Sequence, residues 1–229
     1  MKQREYLQMT IVTIVIMMVM VVSAYAGQKS FEGVITYKIT YPDNKFSESQ
    51  MAMFPKVMII TIKGDQARSE IQTPMGPQIE ITNYAEKSKV GLINMMGQKY
   101  AITETSDQIM EDLKEEPTPV VEITGETRTI AGYTCKKAIV TVNDNGSATK
   151  YDGWFTEDFG AENPNFDNPI YKDINGVMME FSMVTPQFTM VFSAISVEKK
   201  KVSSKEFDIP ADYTVTTKEE LQSKMGGGM

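Results

Sequence analysis

An alternation of apolar and polar residues, renewed in one short segment after another, decides what this chain can become. Residues 31–41 set the pattern. Phe31, Gly33, Ile35, Tyr37, Ile39 and Tyr41 share one parity, while Glu32, Val34, Thr36, Lys38 and Thr40 share the other. Only an extended strand sends successive side chains to opposite faces, so this spacing predicts a half-buried β-strand rather than a helix. Tyr41-Pro42-Asp43-Asn44 then breaks it with turn residues. Strands are expected at 57–63 and, across the Gly64-Asp65 turn, at 67–73. Others follow at 77–82, 89–94, 99–103, 120–129, 133–142 and 149–156. Residues 177–184 and 188–197 read as a hairpin around Thr185-Pro186-Gln187. Helical patterning is sparse: a short piece in 46–54 before Pro55, and an acidic stretch at 105–116 ended by Pro117 and Pro119. A last helix spans 217–225, with Thr217 as its N-cap. About ten or eleven short strands with a few short helices predict a mainly β protein: a large antiparallel sheet, a half-barrel or a sandwich. No repeat or linker divides the chain, so residues 27–229 are expected to form one β-rich domain.

Residues 1–26 read differently. Lys2 and Arg4 outweigh Glu5, residues 9–22 are apolar apart from threonine, and Ala24-Tyr25-Ala26 offers small residues at the cleavage positions. This is the layout of a cleavable secretory signal peptide, with Gly27 as the expected mature start. An uncleaved anchor is the competing reading, because the apolar run is nearly long enough to span a bilayer. With cleavage, the protein is expected in the periplasm or cell envelope without a stable membrane anchor. No cysteine follows the site, so the lipoprotein route is closed.

Composition removes most catalytic schemes. The 229 residues include no histidine, which excludes Ser-His-Asp and Cys-His nucleophile pairs and every His-ligated metal or haem site. The net charge of −7 disfavours nucleic acid and anionic headgroup surfaces as partners. Cys135, the single cysteine, could be activated by Lys136 and Lys137 or could be a small buried strand residue, and the second reading is preferred because no histidine can serve as its base. Asp158, Glu162, Asn163, Asn165, Asp167, Asn168, Asp173 and Asn175 could supply oxygens to calcium, but their spacing matches no EF-hand and suits an ordinary loop. The carboxylate pairs Glu111-Asp112 and Glu115-Glu116 read as solvated surface. No cofactor is expected, and the protein is read as non-enzymatic.

The hairpin carries the most specific functional signal. Val177, Met179, Phe181 and Met183 share one face of its first strand; Phe188, Met190, Phe192 and Ala194 share one face of the second, with Val191, Ile195 and Val197 opposite. A strand apolar on both sides is covered twice or lines an apolar cavity. Methionine is unbranched and polarizable, which suits surfaces that adapt to varied apolar partners. Met179, Phe181, Met183, Phe188, Met190 and Phe192 are therefore the candidate ligand-binding residues.

Four segments carry a family resemblance: Phe31-Glu32-Gly33-Val34-Ile35-Thr36-Tyr37, Ile62-Lys63-Gly64-Asp65-Gln66-Ala67-Arg68, Ile130-Ala131-Gly132-Tyr133-Thr134-Cys135-Lys136-Lys137-Ala138, and Phe207-Asp208-Ile209-Pro210-Ala211-Asp212-Tyr213. Together they resemble a domain-of-unknown-function family of exported proteins from Gram-negative Bacteroidetes, itself similar to the LolA/LolB lipoprotein carriers. The resemblance implies a single antiparallel sheet curved into an unclosed, LolA-like barrel whose concave face is covered by helices and holds an acyl chain or other apolar ligand. It supplies no catalytic residue. In the motifs, Gly64 and Gly132 read as turns, and Phe207 with Ile209 as an edge packing on the sheet. The expected partner is an apolar or lipid ligand. The alternative is an envelope interaction module with a filled core that binds another protein.

Overall fold

The computed structural model describes residues 30–226 apart from Asp43, Met75, Met96, Asn145 and Pro186. The expected signal peptide, residues 1–26, lies outside the described residues. Twelve strands form one sheet: β1 Glu32–Thr40, β2 Val57–Lys63, β3 Gln66–Thr73, β4 Gly76–Asn83, β5 Ser88–Met95, β6 Gln98–Glu104, β7 Val120–Ile130, β8 Tyr133–Asp144, β9 Ser147–Thr156, β10 Val177–Val184, β11 Thr189–Lys199 and β12 Thr214–Thr216. Three short helices accompany them: α1 Glu48–Met51, α2 Ser106–Asp112 and α3 Lys218–Gly226.

The sheet order is β12-β6-β5-β4-β3-β2-β1-β11-β10-β9-β8-β7. Two antiparallel meanders, β1 to β6 and β7 to β11, are thus joined where β1 pairs with β11. β12 adds to β6 in parallel. Its three residues were not foreseen, because a segment that short carries no measurable period. The sheet is mainly antiparallel and does not close, in agreement with the unclosed architecture expected.

Chain connectivity requires the sheet to curve. β6 and β7 are ten interstrand steps apart, about 48 Å on a flat sheet at about 4.8 Å per step. Residues 105–119 connect them, seven in α2. They reach about 38 Å, counting about 1.5 Å per helical residue and about 3.5 Å for the others. The connection therefore closes like a strap over the concave side. Thr105 starts α2 with a capping box, its hydroxyl accepting from the Gln108 N–H while the Gln108 side chain accepts from the Thr105 N–H. Ile109 and Leu113 then point into the core.

The largest core cluster rests on Ile35, Tyr37 and Ile39 of β1, together with Met58, Ile62, Met179 and Phe192. The irregular segment 157–176 covers this face with Phe159 and Phe166, and a second cluster places Tyr171 and Ile174 against Ala138, Val140 and Phe155. On the other side of β4–β6, Ile81, Leu92 and Ala101 are covered by Val202 and Phe207 of the segment after β11. Phe207 with Ile209 thus packs on the sheet, but against its outer face rather than as an edge. Gly64 and Gly132 stand in turns at φ 61° and 88°, where a side chain would be strained. Gly33 is needed for another reason: a Cβ there would lie 2.2 Å from the Glu198 carbonyl oxygen.

One expectation about the hairpin fails. Simple alternation puts Val197 on the face opposite Ala194. The β1–β11 pairing instead shifts register between Thr36 and Tyr37, so that Ser196 faces Thr36 and Ala194 faces Tyr37. Ile195 is the extra, bulged residue and is 57% exposed. The bulge reverses parity, and Val197, paired with Ile35, packs on the core side. β11 is therefore not apolar on two independent faces. A second bulge interrupts edge strand β7, where the register passes from Ile123↔Ala138 to Thr127↔Lys136. An irregular edge of this kind discourages pairing with another chain.

Candidate functional site

The concave face and its cover form the candidate site. Of the six residues singled out, Met179 is fully buried and Phe192 is 2% exposed. Phe181, Phe188 and Met190 are half-buried against the same core, while Met183 is exposed. Phe181 stacks on Phe192 with centroids 4.8 Å apart and planes within 3°, and Met183 pairs across the hairpin with Met190. Phe188 belongs to a different group, in edge contact with Tyr41 and Phe54 and 5.8 Å from Phe46. Through it the end of the hairpin packs against the α1 segment. These residues are a close-packed aromatic wall.

Segment 157–176 seals that wall. The Tyr171 hydroxyl donates to the Ser182 carbonyl at 2.9 Å and accepts from the Ser182 N–H at 3.2 Å, binding the cover to β10. Its ring lies 5.9 Å from Phe181. Beneath it, Tyr37 is fully buried and donates to the Met178 carbonyl at 2.8 Å. Burial pushes the ionisation of Tyr37 and Tyr84 well above the usual phenol range. Between cover and sheet remains a cavity of about 100 Å³, lined by Tyr37, Ile60, Tyr84, Asn165, Tyr171 and Phe181 among others.

Three asparagines of the cover hold it together. Asn165 donates to the Ile174 and Gly176 carbonyls at 2.7 and 2.9 Å, and the Asn168 side chain accepts from the N–H groups of Ile170 and Tyr171. Asn175 accepts from the Asn163 N–H. Among the described residues no group of three or more acidic or cysteine side chains is placed to hold a metal ion. The asparagines act here as turn-forming residues.

Cys135 is fully buried, its thiol 3.5 Å from the Tyr133 carbonyl, and burial raises its pKa. Lys136 and Lys137 do not activate it: they reach Glu157 at 2.9 Å, and Glu126 and Asp152 at 3.3 Å each. Buried thiols of this kind are inert. Glu111 and Asp112 pair with Lys114 and Lys218 at the surface.

A polar cluster absent from the sequence reading lies under α2. Lys89 of β5 stands 3.2 Å from Asp167 of the cover, 3.8 Å from Glu104 of β6 and 3.9 Å from Glu80 of β4. Lys218 of α3 bonds Glu104 and Asp112 at 2.5 and 2.8 Å. Burial opposes the Lys89 charge, yet Glu80, Asp167 and Glu104 outweigh it and raise its pKa. Burial also raises the pKa of Glu80, more than Lys89 lowers it. The cluster ties cover, strap and sheet edge together. In β4, Ile79 and Ile81 alternate with Glu80 and Thr82, which by itself places the isoleucines inside. The C-terminal segment covers the isoleucine side from outside and leaves the Glu80 parity on the concave side with Lys89.

These features define an open, one-sheet β-protein with a covered concave face. The chain belongs to the family called domain of unknown function DUF4412, whose family model matches residues 31–165. The matched span runs from β1 through β9 into the cover, so the six hairpin residues lie beyond it. No curated protein matches the chain.

Proposed function

We propose that this protein is a non-enzymatic protein of the cell envelope that holds an apolar or lipid-like ligand, such as a lipoprotein acyl chain, on the concave face of its sheet, in the manner of the LolA-type carriers it resembles. One observation carries the reading. The concave face is apolar over its hairpin half, and a strap and an irregular loop cover it instead of a second sheet. The cover is tied by the buried side chains of Phe159, Phe166, Tyr171 and Ile174 and by a small number of polar contacts, among them Lys89–Asp167, Tyr171–Ser182 and the Phe31 N–H to the Phe159 carbonyl. Irregular segments open at lower free-energy cost than paired strands, so such a cover can yield to a ligand while the sheet persists. Export by the leader at 1–26 would deliver the protein to the compartment where such cargo travels.

Native mass spectrometry of protein purified without detergent tests this. The expected result is an adduct of lipid mass that solvent extraction releases. A bare chain that also takes up nothing from lipid vesicles would overturn it. The close packing of Met179, Phe181 and Phe192 favours a second reading, an interaction module with a filled core. A bare chain that captures one specific envelope protein would support that one.

A further inference from the structure

A cleft of about 450 Å³ lies apart from the hairpin, between the turn ahead of β5, the α2 strap and the cover. Its size is in the range of small-molecule sites. Its floor is apolar: Leu113 and Phe166 close the bottom, and Met110, 48% exposed, forms one wall. Its rim carries Lys87, Lys114 and Lys172 together with Glu116 and Asp173. Lys114 is engaged by Glu111 at 2.6 Å. Among the described residues, Lys87 and Lys172 have no ion-pair partner, and neither rim carboxylate lies within 4.0 Å of their ammonium groups.

The backbone adds an independent observation. Lys87 is held at φ 51°, a left-handed conformation that a residue with a Cβ adopts only at a cost and that glycine adopts freely. The turn would be more stable with glycine there, yet this position presents an ammonium group at the cleft.

We propose that this cleft binds small amphipathic anions, a carboxylate or phosphate on a short apolar chain, with Lys87 and Lys172 holding the charged head and Met110, Leu113 and Phe166 the chain. Two unpaired ammonium groups beside an apolar floor match such a molecule in both charge and hydrophobicity. Neither a bare anion nor a neutral chain satisfies both halves. The site does not depend on the cover opening, so it stands or falls separately from the concave-face function.

The test follows methionine methyl resonances of the purified protein by NMR during titration with octanoate, octyl phosphate, 1-octanol, acetate and inorganic phosphate. Octanoate and octyl phosphate are expected to shift the Met110 methyl saturably, leaving buried Met179 in place. Octanol should bind about tenfold more weakly, and acetate and phosphate should produce no saturable shift. Lys87→Gly should weaken octanoate binding about tenfold while the melting temperature holds or rises, because glycine relieves the turn. Lys172→Gln should weaken binding similarly. Octanol binding as tightly as octanoate, or full affinity in both lysine variants, would overturn the proposal. So would shifts at Met183 and Met190 in place of Met110, which would put the ligand in the concave groove and leave the proposed function standing.

Discussion

The two ends of the covered face solve the same problem with different chemistry. At the hairpin end, Phe181, Phe192, Tyr37 and Tyr171 meet ring against ring, and the cavity left is about 100 Å³. At the α2 end, the cover is held by Lys89 among three carboxylates, beside openings of about 150 and 450 Å³. Aromatic rings fill space; ion pairs need hydration and directional contacts, and they leave room. The difference assigns rigidity to one end and access to the other.

Phe192→Ala probes the packed end and should have the largest effect. It removes a ring 2% exposed and stacked on Phe181, and should cost about 3–5 kcal/mol in denaturant unfolding. A cost below about 1 kcal/mol would mean that the wall is not close-packed. Asp167→Asn probes the ionic end. Loss of the 3.2 Å contact to Lys89 should cost about 1–3 kcal/mol. More tellingly, it should speed amide exchange in 157–176 before any other part of the chain. Uniform acceleration over the whole sheet would show that the two ends open as one unit.

The ionic end should also carry a pH signature. Burial raises the Glu80 pKa above its ordinary 4.5, so the native state holds this proton more tightly than the unfolded chain. Glu80's contribution to stability should therefore fall as pH rises from the ordinary carboxylate range through the raised value. Glu80→Gln should flatten that slope in urea midpoints measured against pH, and an unchanged slope would remove Glu80 from the account. Ile195→Thr should have the smallest effect, within about 0.5 kcal/mol, because the bulged side chain faces solvent. A larger loss would mean that the bulge itself depends on that side chain.

Much of the fold was legible because local rules governed it. Residues 57–63 were bounded correctly as β2 because a β-branched run ends at Gly64-Asp65, and Thr217 caps α3 through its hydroxyl, 3.2 Å from the Glu220 N–H. The candidate site was legible only in part. Phe181 and Phe192 were placed on one face and do stack. Their burial could not be read, because it comes from Tyr171 and the cover, a segment without period. Lys89 and Glu80 carry no sequence sign of pairing, because each is a single charged residue within its own strand. Lys87 gave no signal at all: its left-handed backbone and its neighbour across the cleft, Lys172, belong to a turn and a loop far apart in sequence.

The sequence alone determined the strands, the turns between them and the mainly β class, because side-chain parity and turn residues act over a few positions. It also determined which chemistries are absent, since a chain without histidine cannot perform histidine chemistry in any fold. Tertiary structure decided which side of each strand faces inward. The bulge at Ile195 sends Val197 to the core, and the C-terminal segment buries Ile81 from outside and leaves Glu80 within. Parity says that two faces differ; what packs on each face, from far along the chain, decides which one is the inside.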